Sequence, residues 1–173
     1  MFADVESRLG RLDGLVNNAA RFTTIDPLRV TEAEWDFVHS VNLKATFFCC
    51  QQGALLMKKN PDGAGRIVNI SSMGAFLAWP DNVHYCASKA GVVHMTRVLA
   101  KALGPGITVN TVAPGVIPFE EKDEPRIQAL AATTVAKRPG TGDEVADGVL
   151  FFLAASNFIT GQVLQVDGGL GLR

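Results

Sequence analysis

The sequence predicts an α/β fold with a doubly wound parallel sheet, and two observations lead to this prediction. Short apolar segments typical of strands alternate along the chain with longer amphipathic helical stretches. The segment at 66–70 is apolar on both faces, as expected for a central strand of a parallel sheet. This alternation indicates right-handed β-α-β units with helices covering both faces of one sheet. We therefore predict a single domain over residues 1–173, with about four strands.

The composition fits a globular protein and argues against several function classes. Hydrophobic residues make up 47% of the 173 residues and charged residues 19%, and the net charge is −1. Because no basic run exceeds two residues, we expect no nucleic-acid partner. The apolar stretches fall short of the roughly 18 to 20 residues that a membrane helix needs, so we expect no membrane span. The first ten residues carry early acidic side chains and no apolar core, so we expect no signal peptide.

The cysteine pattern predicts free thiols. Cys49, Cys50 and Cys86 are odd in number, and their spacing does not match a metal site. We expect these thiols to be reduced and buried, we predict no metal site, and we place the protein in the cytoplasm.

In the first half of the chain, helix signals flank a short strand that ends in polar residues. Residues 2–10 form an amphipathic helix closed by Gly10, and residues 12–19 form a strand running into two asparagines, at the end where ligands bind in open α/β sheets. A capping box at 31–34 begins a helix predicted to run to about residue 59. Asn42 lies inside that helix, where an asparagine is mildly unfavourable. It is either a buried amide bonded to backbone or a polar group that reaches a site.

The second half supplies the remaining elements of the predicted sheet, a helix at 83–103, a strand at 107–112, a helix at 141–155 and a strand at 161–166. Residues 116–140 are polar and interrupted by proline, with a short helical pattern at 126–135. We interpret 116–140 as a surface lobe or lid.

Tyr85 and Lys89 are the chemically most informative pair. They are four residues apart on a predicted helix, so they lie on one face, one turn apart. An ammonium group at that distance favours the phenolate, so we expect it to lower the pKa of Tyr85 from its ordinary value near 10. Ser72 follows a buried strand and could hold a substrate oxygen. Taken alone, a Tyr and a Lys four apart also occur on helices by chance.

Several further motifs stand in a fixed order around this pair: Asn17-Asn18-Ala19-Ala20, Asn42, Ser72, Tyr85-x-x-x-Lys89, Pro114-Gly115 and the closing T-G-Q-V-L-Q-V-D-G-G from Thr160. Together they resemble the short-chain dehydrogenase/reductase family, and the similarity covers essentially the whole chain. The resemblance implies a partial Rossmann-like sheet, the C-terminal part of the family's fold.

The resemblance also implies a role for each matching catalytic residue. Tyr85 would be the general acid/base at the carbonyl or alcohol oxygen. Lys89 would lower the pKa of Tyr85 and bind the nicotinamide ribose. Ser72 would polarise the substrate oxygen, and Asn42 would hold a water molecule that links Lys89 to solvent.

The implied cofactor is NAD or NADP. Asn17 and Ala19 would border its adenosine side, and the loop after Pro114 and Gly115 would contact the nicotinamide, with the Ile117 backbone at the carboxamide. Tyr85 and Lys89 would bind the cofactor as well.

The chain also departs from the family pattern. It contains no T-G-x-x-x-G-x-G turn, which in the family holds the pyrophosphate and precedes the residue that separates NAD from NADP. We therefore expect an N-terminally truncated member in which the strand at 12–19 is an exposed apolar edge. Ala20 replaces a glycine of the family motif. Pro118 replaces a common threonine, which puts one carboxamide contact in question.

Two functions follow from these observations. The first is an oxidoreductase that transfers a hydride between NAD(P) and a small-molecule carbonyl or secondary alcohol. The alternative is a truncated, catalytically inactive fragment or an oligomerisation partner. In either case we expect a homo-oligomer through the helices at 31–59 and 83–103.

The resemblance places residues 73–84 and 116–140 at the substrate. The aromatic residues there are Phe76, Trp79 and Phe119, and they suggest an apolar component without defining specificity. We expect no catalytic role for the histidines, although His84 adjoins Tyr85.

Overall fold

A computed structural model describes residues 1–118 and 124–172 of the chain. In this part of the chain four parallel strands form one sheet in the order β1-β2-β3-β4. The strands are β1 (Gly14–Asn17), β2 (Gly65–Ile70), β3 (Ile107–Pro114) and β4 (Val163–Val166). The predicted α/β class with a parallel sheet is confirmed. Phe119 lies outside the described residues.

The α-helices among the described residues are α1 (Phe2–Leu9), α2 (Glu32–His39), α3 (Thr46–Met57), α4 (Val83–Leu103), α5 (Glu124–Ala131) and α6 (Gly142–Ala154). Gly10 closes α1 in the left-handed conformation, with φ of 70°. The predicted capping box of Thr141 and Glu144 at the start of α6 is complete. At the start of α2 only half of the predicted box is present: the Thr31 hydroxyl accepts from the Glu34 N–H. None of the described helices has both the length and the apolarity needed to cross a bilayer.

The long helix predicted from 31 to about 59 is wrong in one respect. A π-helical segment, Ser40–Ala45, separates α2 from α3. Asn42 lies within this segment, and its backbone carbonyl accepts a hydrogen bond from the Thr46 hydroxyl at 2.8 Å. The wider turn accommodates one extra residue, a distortion that is frequent at functional sites.

The core lies on both faces of the sheet, because successive strand residues face opposite sides. Ile67 of β2 packs toward α3 and α4, whereas its neighbour Val68 packs toward α6. The buried cluster on the first face consists of Cys50, Ala54, Met57, Ile67, Ala100, Ile107 and Val109. The second face has a smaller buried cluster of Val68, Val112 and Phe152. Covered on both sides, the sheet is a rigid support for the residues at its ends.

One end of this sheet carries a row of polar residues. The parallel register pairs Asn17 of β1 with Asn69 of β2, and Asn69 with Thr111 of β3. These positions lie toward the carboxyl ends of their strands, the ligand side of an open α/β sheet. As expected from the sequence, β1 forms an edge of the described sheet, and Val16 is 40% exposed.

Candidate functional site

The first turns of α4 hold Tyr85 and Lys89 against the carboxyl end of β2. Both side chains are buried, with exposed fractions of 9% for Tyr85 and 2% for Lys89. The Lys89 Nζ lies 5.9 Å from the centre of the Tyr85 ring. It donates a hydrogen bond to the Ile70 carbonyl, the last of β2, at 2.9 Å. The spacing of four therefore does bring the phenol and the ammonium to one place.

Two serines follow β2 and complete this corner of the molecule. The Ser71 N–H continues the sheet by donating to the Val112 carbonyl at 2.8 Å, and its hydroxyl donates to the Lys89 carbonyl at 2.9 Å. Ser72 is buried, and its hydroxyl accepts from the Gly74 N–H at 3.0 Å. A hydrogen bond with Ser72 acts to lower the pKa of Tyr85, so the two hydroxyls are neighbours.

The electrostatics of the pair differ from the expectation. The pKa of Tyr85 is raised, because burial disfavours the phenolate more strongly than the Ser72 hydrogen bond favours it. The prediction that Lys89 lowers this pKa is therefore wrong for the chain by itself. Burial also lowers the pKa of Lys89 to about 8, which weakens the ammonium as a source of stabilising charge. The reason is desolvation, which residue spacing does not reveal.

Asn42 directs its amide toward the loop that follows β1. Its Oδ1 accepts from the Arg21 N–H at 2.7 Å, and its Nδ2 donates to the Arg21 carbonyl at 3.0 Å and to the Ser88 hydroxyl at 2.9 Å. The Ser88 hydroxyl in turn donates to the Tyr85 carbonyl at 2.7 Å. Asn42 thus connects the loop to α4 through Ser88, and its water-holding role stays a prediction.

A buried chain of polar side chains crosses the sheet beneath these residues. The Asn17 amide donates to Asn69 Oδ1 at 2.8 Å, and Asn69 Nδ2 donates to the Thr96 hydroxyl at 2.9 Å. Thr96 also accepts from the Thr111 hydroxyl at 2.8 Å. Cys50 lies against the two asparagines, and burial raises the pKa of its thiol to about 12. These hydrogen bonds connect β1, β2 and β3 near their carboxyl ends.

The remaining predicted cofactor residues lie at the same edge of the sheet. Ala19 is exposed just beyond β1, and Pro114 ends β3. Gly115 follows, and a Cβ built there would lie 2.7 Å from the Asp167 Cα, so the backbone passes too close for a side chain. Ile117 packs against Gly140, whose N–H bonds the Val116 carbonyl at 2.9 Å. These residues thus lie at or beyond the carboxyl ends of β1 and β3, as Ser72 does for β2.

Sequence reasoning missed the contact between Phe22 and Tyr85. The two rings meet edge to face, with centroids 4.8 Å apart. On another side the Trp79 ring is nearly parallel to that of Tyr85, at 6.3 Å and 3°. The sequence indicates for Trp79 only a general apolar contribution. The only indication of this contact in the sequence was that Phe22 lies five residues after Asn17, a predicted cofactor-binding residue.

His84 is fully buried beside Tyr85. Its Nε2 lies 2.6 Å from the Thr23 hydroxyl, whereas Nδ1 has no hydrogen-bond partner among the residues described. Burial lowers the pKa of this imidazole, so it is neutral at physiological pH. It holds the loop in place through Thr23. Within residues 1–118 and 124–172, the structure shows no group of three His, Cys, Asp or Glu side chains that could bind a metal ion.

The chain was compared with known proteins. Residues 1–171 match a family model described as enoyl-(acyl carrier protein) reductase. The chain is 44% identical over 170 residues to the (2S)-[(R)-hydroxy(phenyl)methyl]succinyl-CoA dehydrogenase subunit BbsD of Thauera aromatica, covering 94% of this chain and 66% of that protein. It is 42% identical over 172 residues to the 3-oxoacyl-[acyl-carrier-protein] reductase FabG of Thermotoga maritima, covering 96% and 69%.

Solved structures agree with these matches. A gluconate 5-dehydrogenase from Burkholderia cenocepacia, in complex with NADP and tartrate, superimposes with a TM-score of 0.90 at 31% identity. The match covers 99% of this chain and 69% of that one. The chain thus spans about two thirds of the length of these relatives. On the family match, the identities and the shared fold, the chain belongs to the short-chain dehydrogenase/reductase family of oxidoreductases.

Proposed function

We propose that the protein transfers a hydride between NAD(P) and a small carbonyl or secondary alcohol, with Tyr85 as the general acid/base. The observation that carries this proposal is the cluster of Ser72, Tyr85 and Lys89 at the carboxyl end of β2. The relatives support it, because they carry the names of dehydrogenases and reductases.

The nicotinamide end of the cofactor fits the residues present. The Lys89 ammonium has three donors, and one of them bonds the Ile70 carbonyl among the described residues. A buried cation with spare donors suits the hydroxyls of a ribose, and the Lys89 Nζ lies 5.9 Å from the centre of the Tyr85 ring. The Ile117 backbone would bind the carboxamide, and Asn17 and Ala19 would border the adenosine side. When bound, NAD(P)H supplies the hydride that the carbonyl carbon accepts.

The raised pKa of Tyr85 keeps its phenol protonated in the free protein, which is the state that carbonyl reduction requires. A phenol that stays protonated at neutral pH can donate its proton as the carbonyl oxygen gains the electron pair of its π bond. The Ser72 hydroxyl would donate a hydrogen bond to the same oxygen and hold it in place. The phenolate left behind would be stabilised by the Lys89 ammonium until water returns the proton.

We also propose that residues 116–140 form the wall on the substrate side. Val116 and Ala131 pack with Met73 and Leu170 in a buried cluster beyond the strand ends. Because Met73 adjoins Ser72, this cluster connects the proposed wall to the residue that would hold the substrate oxygen.

The proposed reaction is tested by assaying the protein with NADH or NADPH and a panel of ketones. We expect turnover that Tyr85→Phe abolishes while the fold is retained. Calorimetric titration with each nucleotide addresses the alternative function. A folded protein that binds neither nucleotide and reduces no ketone would favour an oligomerisation partner.

We further propose a homo-oligomer formed by α2, α3 and α4. An open groove of about 740 Å³ runs between these helices, and its apolar lining includes Leu43, Phe47 and Met95. Asp36 and Lys44 also line it, so two copies related by a two-fold axis can pair opposite charges. Sedimentation should show a dimer or larger assembly. Phe47→Glu should dissociate it, whereas Leu150→Glu, an exposed position on α6, should not.

A further inference from the structure

Two aromatic side chains flank the ring of Tyr85. Phe22 meets it edge to face at 4.8 Å, and Trp79 lies nearly parallel to it at 6.3 Å. We call Phe22, Tyr85 and Trp79 the aromatic wall. Tyr85 is nearly buried, whereas Phe22 is 52% exposed. The wall therefore presents an exposed aromatic surface next to the ring whose hydroxyl would transfer the proton.

Phe22 is exposed on a loop that hydrogen bonds hold firmly. On its N-terminal side, both backbone groups of Arg21 bond the Asn42 amide. On its C-terminal side, the Thr23 carbonyl accepts from Asn82 Nδ2 at 2.8 Å, and the Thr23 hydroxyl lies 2.6 Å from His84 Nε2. The exposure of this large apolar ring is thus fixed by the fold. A surface held ready in this way loses little conformational freedom when a ligand binds.

A glycine allows the wall to close on its other side. A Cβ built at Gly74 would lie 3.0 Å from the Trp79 Cζ3 and 3.2 Å from the Tyr85 Cε1. These distances are tighter than ordinary van der Waals contact. Alanine at position 74 would therefore push Trp79 and Tyr85 apart, so the parallel arrangement depends on the absence of a side chain there.

From this geometry we propose that the site prefers ketones whose carbonyl carbon carries a flat aryl group, and the corresponding aryl alcohols. An aryl ring can stack on or meet the edge of the aromatic faces, whereas a puckered alkyl ring of the same size cannot. The proposal rests on the proposed function, because it places the reacting oxygen at Tyr85.

Acetophenone and 1-cyclohexylethanone form a matched pair of probes, since they differ mainly in the flatness of the ring. We would titrate each into the protein, with and without NADPH, and follow binding by ligand-observed NMR. We expect acetophenone to bind about tenfold more tightly. Equal affinities in both conditions, tighter binding of the cyclohexyl ketone, or binding of neither would overturn the proposal.

Variants connect the preference to the aromatic wall. Phe22→Leu removes one aromatic face, and Gly74→Ala displaces another, so each should reduce the tenfold preference to about twofold or less. Phe158→Leu changes a phenylalanine that is 97% exposed elsewhere and should keep the full preference. Thermal unfolding checks that each variant folds. A preference that survives both Phe22→Leu and Gly74→Ala would contradict the role of the wall.

The two proposals fail in different ways. Preferential binding of acetophenone without reduction of any ketone would count against the oxidoreductase reaction and leave the aryl preference intact. Reduction of both ketones with equal efficiency would count against the aryl preference alone.

Discussion

The two halves of helix α4 bury different chemistry. The reactive half, residues 83–91, buries His84, Tyr85, Ser88 and Lys89. The packing half, residues 92–103, buries Val92, Val93 and Ala100, with Thr96 as its buried polar residue. Ala100 joins the apolar cluster between the sheet, α3 and α4. One continuous helix therefore buries the polar groups of the candidate site in one half and mostly apolar packing residues in the other.

Burial stabilises the fold in the packing half of α4 and destabilises it in the reactive half. Burial of apolar side chains in the packing half stabilises the fold. In the reactive half, burial lowers the pKa of Lys89 from 10.5 to about 8, which corresponds to about 3 kcal/mol of destabilisation when the amine is charged. No carboxylate among the described residues offsets this cost. The packing half must therefore support a neighbouring segment that opposes folding.

The largest effect is expected for Tyr85→Phe in the reactive half. Loss of the proton donor should lower kcat/KM for ketone reduction about 10³-fold, or about 4 kcal/mol. Because only a hydroxyl is removed from a buried ring, the free energy of unfolding should change by less than about 1 kcal/mol. Steady-state kinetics and urea unfolding measure the two quantities. A variant that retains a tenth of the activity would contradict the assignment.

Ile107→Ala should produce the largest loss of stability. Ile107 is 1% exposed in the apolar cluster that receives the packing half. Truncating it leaves a cavity, so the free energy of unfolding should fall by about 3 kcal/mol. Leu28→Ala, at a position that is 95% exposed, is the control and should have almost no effect in the same urea titration. Equal effects of the two substitutions would show that the cluster does not support the fold.

Lys89→Met should stabilise the protein while it abolishes activity. The lost hydrogen bond to Ile70 costs about 1 kcal/mol, which leaves a net gain of about 2 kcal/mol at pH 7. Between pH 8 and 10.5 the unfolded chain holds a proton that the folded chain has released, so wild-type stability rises with pH. The variant should lack this rise.

Lys101→Met on the exposed side of the packing half is the matched control, and it should keep the wild-type dependence on pH. Urea unfolding at several pH values measures both variants. A variant at position 89 that is less stable than wild type at pH 7 would refute the cost assigned to the buried ammonium.

His84→Gln should have the smallest effect. The amide can still bond Thr23, so stability at pH 7 should change by about 1 kcal/mol or less. The pKa of His84 is lowered by burial, opposed by the negative charge of Glu34 and assisted by His39. Below about pH 6.5 the unfolded chain therefore binds a proton that the folded chain resists, so wild-type stability decreases as the pH is lowered.

The variant should lose part of this acid dependence, whereas His94→Gln, at an exposed position of the same helix, should retain it. Thermal unfolding from pH 7 to pH 5 provides the comparison. An equal loss of stability between pH 7 and pH 5 in wild type and His84→Gln would show that His84 does not contribute to the acid dependence.

Local sequence patterns predicted much of this molecule. The helix at 83–103 was placed with the same ends that the structure shows, and the capping box at Thr141 was correct, because caps and periodicity depend on neighbouring residues. The same local logic placed Tyr85 and Lys89 on one face. The alternation of strands and helices predicted the parallel sheet, and the order of the motifs identified the family.

Features that depend on contacts between residues distant in the sequence could be seen only in the tertiary structure. The π-helical segment contains an Asn42 whose amide bonds Arg21, twenty-one positions away. Burial raises the pKa of Tyr85, whereas the spacing of Tyr85 and Lys89 predicts that this pKa is lowered. Phe22 reaches Tyr85 across sixty-three residues because a hydrogen-bonded loop holds it there. The sequence alone thus determined which groups are present and which share a helix face, whereas packing set their solvation, and solvation sets the chemistry they can perform.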